Sequence, residues 1–222
     1  MNMLTSKLIA KEFYLHRWLI IGSTIAGVVG LLIAAEGKVR FNIGMLMWLT
    51  TIVAFGIMLA MISIGNERKE RTLQFVLSLP LSHGDYVRIK VVGLLLCFLV
   101  PWTVLGVGAV TLVLVMPNLP DGLLPFAVLL CGFFLANYSL VLCSALHTAS
   151  EGVMTLVIIT TNMGITLFIF MIGAIPSLND HLFAPAPVWN STFWTVLGVE
   201  AATLVITLSL PYFVAARRRD FT

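Results

Sequence analysis

Long apolar runs broken by short polar stretches repeat along the whole chain. A helix needs about 20 residues to cross a hydrocarbon core. Six runs qualify: 18–35, 43–64, 91–116, 123–146, 153–175 and 193–215. None alternates in and out as barrel strands do, and each is longer and more continuous than such a strand. The pattern predicts an all-α, polytopic membrane protein with six transmembrane helices, forming a single membrane domain over residues 1–222.

Composition agrees. Of the 222 residues, 59% are hydrophobic and 10% charged, and mean hydropathy is +1.04. Soluble domains carry about 25% charge, so this chain has too much apolar surface to hide in a core of its size. The first run follows a polar stretch with Lys7, Lys11, Glu12 and Arg17 and has no small-residue cleavage site, so it is read as a retained span.

Basic residues set the orientation. With the N-terminus inside, eleven of the thirteen basic residues face the cytoplasm, and only Lys38 and Arg40 lie outside. Both termini are expected to be cytoplasmic. Arg217, Arg218 and Arg219 anchor the last span and meet anionic lipid. The net charge of +3 reflects this topology and points to no nucleic-acid partner. Tyr14, Trp18, Trp48, Trp102, Trp189, Trp194 and Tyr212 mostly fall near expected span ends, where amphipathic rings settle at the interface. Residues 3–16 mix Leu4, Leu8, Phe13 and Leu15 with charges, as in a short helix lying along the inner interface.

The largest polar island is 66–90, NERKERTLQFVLSLPLSHGDYVRIK. Glu67, Arg68, Lys69, Glu70 and Arg71 open it. Leu73, Val76, Leu77 and Pro80 then share one side of a helix. Pro80 ends that helix, because the residue before a proline is pushed out of helical geometry. A turn with Gly84 leads back to the third span through Tyr86, Arg88 and Lys90. The unit is too short for a catalytic domain and well sized for docking.

This island resembles the loop between spans two and three of the ABC-2 type permeases, the membrane subunits of a class of ABC transporters. The matching residues are Glu67, Arg68, Thr72, Leu73, Leu77, Ser78, Leu79, Pro80, Ser82 and Lys90. Arg71 stands where the family usually has glycine, and Gln74 where it has glutamate. Six spans, inside termini, an amphipathic N-terminal segment and a long loop before the sixth span also fit. The resemblance implies the permease architecture and a coupling segment at 66–90, with Glu67, Arg68, Glu70, Arg71, Thr72, Leu73, Val76, Leu77 and Pro80 seated against a separate ATP-binding cassette subunit. It further implies a second permease chain, as a homodimer or heterodimer, a surrounding lipid membrane, and export of cargo across a plasma membrane, a bacterial inner membrane. Short helices in the outer loop, about 176–190, would cap the pathway.

The chain has no G-x-x-x-x-G-K-[ST] phosphate loop; its one Gly-Lys pair is Gly37–Lys38. It is therefore expected to bind no cofactor, with ATP and Mg held on the partner, and not to be an enzyme by itself. His16, His83, His147, Glu151, Asp180 and His181 are too scattered for a catalytic or three-ligand metal signature. Cys97, Cys131 and Cys143 lie in or near apolar runs at no metal-ligand spacing, and their odd number argues against a disulfide framework. The alternative function is a non-transporting scaffold or sensor that uses the same segment to recruit an ATPase.

Glu200 is the one acid well inside an expected span, where a carboxylate must be neutralised, paired or hydrated. It is a candidate pathway residue, for substrate, cation or proton. His147 and Glu151, four apart at the short fourth connection, are candidates for a second cytoplasmic contact; were that connection helical they would face each other. Gly22, Ser23, Ala26, Gly27 and Gly30 form a small-residue stripe suited to close helix packing. Asn137, Ser139, Ser144, Thr160, Thr161, Asn162 and Thr166 make spans four and five polar, and some of them should face protein or a hydrated cleft.

Overall fold

The computed structural model describes residues 3–65, 83–117, 119–148 and 150–217. Its helices are α1 (Met3–Ala34), α2 (Lys38–Ala60), α3 (His83–Val115), α4 (Leu123–His147), α5 (Glu151–Ala174), the four-residue α6 (Pro176–Asn179) and α7 (Ser191–Arg217). A π-helical turn, Met61–Gly65, extends α2. Among the described residues, α1 to α5 and α7 are the six helices long and apolar enough to cross a membrane.

The apolar runs become helices because lipid leaves backbone N–H and C=O groups no partners but each other. Pro101 and Pro211 lie inside α3 and α7, and both helices continue through them. α1 carries residues 3–16 as its opening turns, in one piece with the first span. Gly37 closes the short link to α2 with φ 139, a left-handed value that glycine adopts without a Cβ clash.

α4 is the centre of the bundle. It packs against α2, α3, α5 and α7, and 61% of its most apolar window is buried, against 17% in α5 and in α7. A stack of rings ties three helices together. Phe98 of α3 lies flat on Tyr138 of α4, with centroids 4.0 Å apart, and on Phe55 of α2 at 5.9 Å. Tyr138 also donates its hydroxyl to the Leu94 carbonyl at 3.1 Å.

α1 and α2 cross where side chains are smallest. A Cβ added at Gly30 would stand 3.0 Å from the Gly44 carbonyl oxygen and the Trp48 nitrogen, and one at Gly44 would collide with Ala34 backbone. Part of the expected small-residue stripe thus forms the crossing, whereas Gly22 has open space beside it. Trp48 departs from the interfacial expectation. It is fully buried, donates its indole N–H to the Leu105 carbonyl at 3.1 Å and meets Phe134 edge-on. Its position is mid-helix, and burial there requires the N–H to find a carbonyl. Trp18 and Trp194 do stay exposed.

Candidate functional site

Two polar features stand out in the apolar bundle. The first lies at the end of the bundle where the π turn stops at Gly65 and α3 begins at His83. Ile9, Glu12, His16 and Ile20 recur every three or four residues and are all buried, so they form the inward stripe of α1, while Lys7 and Lys11 stay exposed. Glu12 receives two donors. Lys90 Nζ of α3 reaches its Oε1 at 2.8 Å, and Ser63 Oγ of the π turn reaches its Oε2 at 3.1 Å. Lys90 also donates to Ser63 Oγ at 3.0 Å, which closes a triangle. The π turn widens α2 by one residue per turn and so helps to aim Ser63 at the other two. His16 Nδ1 lies 2.9 Å from the Glu12 carbonyl, and its Nε2 is buried without a partner.

A buried charge is costly in low dielectric unless paired and hydrogen-bonded. Here the acid and the base neutralise each other and a hydroxyl bridges them. The triangle joins α1 to both flanks of 66–82: Ser63 precedes that segment and Lys90 follows it. Lys90 was expected at the polar, cytoplasmic end of the island; it is 3% exposed instead, because Glu12 draws it inward. The coupling residues themselves, Glu67, Arg68, Glu70, Arg71, Thr72, Leu73, Val76, Leu77 and Pro80, lie outside the described residues.

The second feature is Glu200, nine residues into α7 and so roughly 14 Å along its axis at 1.5 Å per residue. Its side chain is 7% exposed, and neither carboxylate oxygen has a hydrogen-bond partner. It rests on Gly132 of α4, in space that a Cβ there would occupy. Glu200 is also the wall shared by two cavities, each half open at the surface of the bundle. One, of about 470 Å³, lies between α3, α4 and α7 and is lined by Trp102, Val110, Cys131 and Leu197 among others. The other, of about 530 Å³, lies between α4, α5 and α7 and includes Asn137, Thr160, Thr161 and Thr203. Three members of the polar set expected in spans four and five thus face this second cavity. Ser139 instead bonds Thr207 of α7 at 2.7 Å, and Asn162, exposed, turns back to the Ile158 carbonyl at 2.8 Å.

His147 and Glu151 do not share a helix. α4 ends at His147, Thr148 is extended, and Ser150 caps α5 by accepting the Val153 N–H at 3.4 Å. His147 Nδ1 is satisfied within α4 by the Cys143 carbonyl at 2.7 Å. At the opposite end, 176–190 folds over the heads of α4 and α7. The Gly122 N–H donates to the Ala184 carbonyl at 3.0 Å, and Asn190 caps α7 through the Phe193 N–H at 2.8 Å. Among the described residues, no three His, Cys, Asp or Glu side chains are grouped to hold a metal ion.

Sequence reasoning singled out Glu200 and missed the Glu12–Ser63–Lys90 triangle. A local signal was present: an acid on the Ile9–Ile20 stripe of an otherwise apolar-faced helix has to find a donor. In comparison with known families, residues 7–217 match the model described as ABC-2 family transporter protein. No curated protein matches the chain.

Proposed function

The chain belongs to the ABC-2 transporter family, and from that membership we propose that it is the permease subunit of an ATP-driven exporter. Members of this family are transport subunits without catalysis of their own. In this reading both termini are cytoplasmic and the protein sits in a plasma membrane, a bacterial inner membrane. Residues 66–90 dock on a separate ATP-binding cassette subunit that holds ATP and Mg. A second permease chain, identical or different, completes the membrane part. His147 and Glu151, at the end of the bundle where α2 stops and α3 begins, make a smaller second contact with the ATPase. Glu200 lines the pathway.

The observation that carries the reading is the family match over residues 7–217. The polar triangle supports the coupling role, because a segment that is to move a helix bundle must be fastened to it at both flanks. Movement of docked subunits would then bias one of two discrete helix packings.

The test is gentle co-purification of the full chain from membranes with its bound chains, followed by ATPase and vesicle transport assays. An ATP-binding subunit should accompany it, and reversing charge with Glu67→Lys and Glu70→Lys should weaken that association while insertion stays intact. Purification free of any ATP-binding chain, under conditions that preserve complexes, would overturn the reading. Binding and stimulated ATPase without vectorial movement of any cargo would favour the scaffold.

A further inference from the structure

Among the described residues, the buried carboxyl of Glu200 has no cationic side chain beside it. No lysine, arginine or histidine among the described residues lines either neighbouring cavity. Neither oxygen has a hydrogen-bond partner, although Gly132 leaves room for one face of the carboxylate. A carboxylate at this depth needs a positive charge or a proton. Elsewhere the same chain pairs its buried acid: Glu12 has both Lys90 and Ser63.

The cavity between α3, α4 and α7 supplies space for the missing partner. Its volume of about 470 Å³ falls in the range of sites for drug-sized molecules. Its walls are almost wholly apolar, from Val107, Val110, Leu135 and Leu204, with the ring of Trp102 among them. The Trp102 indole N–H is already spent on the Cys131 carbonyl at 2.9 Å. What Trp102 still offers is its ring face, which attracts a cation. The carboxyl of Glu200 lies against Gly132 through its Oε2, and the same side chain lines the cavity.

We infer that this cavity binds a lipophilic organic cation, with its charge on Glu200 and its apolar body beside Trp102. This rests on the reading of Glu200 as a pathway residue and gives the cargo a chemical class: one positive charge in an apolar frame, with no need for hydrogen-bond donors. A neutral lipid tail would fill the volume and leave the carboxylate unpaired. An anion would be repelled.

Tetraphenylphosphonium and tetraphenylborate share a shape and carry opposite charges, so together they test this. Binding of each to the purified full chain in lipid nanodiscs is measured by equilibrium dialysis, with uptake by empty nanodiscs of the same lipid subtracted. The phosphonium should bind saturably, once per chain, and the borate should not. Glu200→Gln, which keeps the side-chain volume, should weaken phosphonium binding about tenfold or more, as loss of a close opposite charge does. Glu200→Asp should keep most of the affinity. Equal binding of both ions, or undiminished phosphonium binding by folded Glu200→Gln, overturns the inference. Should Glu200→Gln not fold, a photoreactive arylphosphonium on the wild-type chain decides: cross-links within 102–111, 128–135 and 197–204 support the site, and cross-links elsewhere overturn it. No ATP-binding subunit enters this assay. A negative result leaves the transporter reading standing, and a missing ATPase partner leaves the binding result standing.

Discussion

Lys90 Nζ of α3 sits 2.8 Å from Glu12 Oε1 of α1, with both side chains buried. The two residues are far apart in sequence and come from opposite sides of segment 66–82. Their pairing is what makes two charges tolerable in the bundle, and it fixes where α3 can begin relative to α1.

Removing one partner should therefore cost more than removing both. Lys90→Met leaves the buried Glu12 without its ammonium partner, with the Ser63 hydroxyl and the His16 ring beside it, and should destabilise the chain by about 3–5 kcal/mol. The double variant Glu12→Leu with Lys90→Met should recover much of that loss, since an apolar pair of similar volume needs no counter-charge. Thermal unfolding in detergent of both singles and the double gives the coupling. Additive losses would show that the pair is not a unit.

Gly132 and Glu200 make a second testable couple. Gly132→Ala puts a methyl where the carboxylate rests and should cost about 1–3 kcal/mol through overpacking. Shortening the acid with Glu200→Ala in the same chain frees that space and should restore stability toward the wild type. A Gly132→Ala loss of the same size with and without Glu200 would place the strain elsewhere.

The α1–α2 crossing gives a third. Gly44 lies against Ala34 backbone, with no room for a side chain. Gly44→Val should force the two helices apart and destabilise by about 1–3 kcal/mol or more. Gly22→Ala, at a position with nothing within 4 Å, should be neutral or slightly stabilising. Melting temperatures of the two variants check the contrast; similar values would mean that the crossing is not tight.

The six spans were legible because lipid imposes a length and a polarity on every crossing helix, and both can be counted along the chain. Ends were less so. α3 begins at His83 rather than near 91, since Tyr86, Val87 and Ile89 continue the helix through residues that look polar one by one. Glu200 was found because a carboxylate in an apolar run is conspicuous. Its seat on Gly132 and its place between two cavities were not legible, because they depend on how α4 meets α7. The Glu12–Lys90 pair escaped for the same reason. Each residue looked like an ordinary membrane-flanking charge, and only the three-dimensional meeting of α1 with α3 makes them partners. Trp48 likewise reads as an interface residue until Leu105 and Phe134 are seen to enclose it.

The unbroken course of α1 has a mechanical consequence. Glu12 and Gly30 are on one continuous helix, about 27 Å apart at 1.5 Å per residue. At one of these points Glu12 holds α1 to both flanks of segment 66–82, by an ion pair to Lys90 and a hydrogen bond from Ser63; at the other α1 is pressed against α2 with no side chain between. With no joint in between, a tilt imposed at the ionic grip reappears at the far crossing, in the manner of a lever whose short and long arms belong to the same helix.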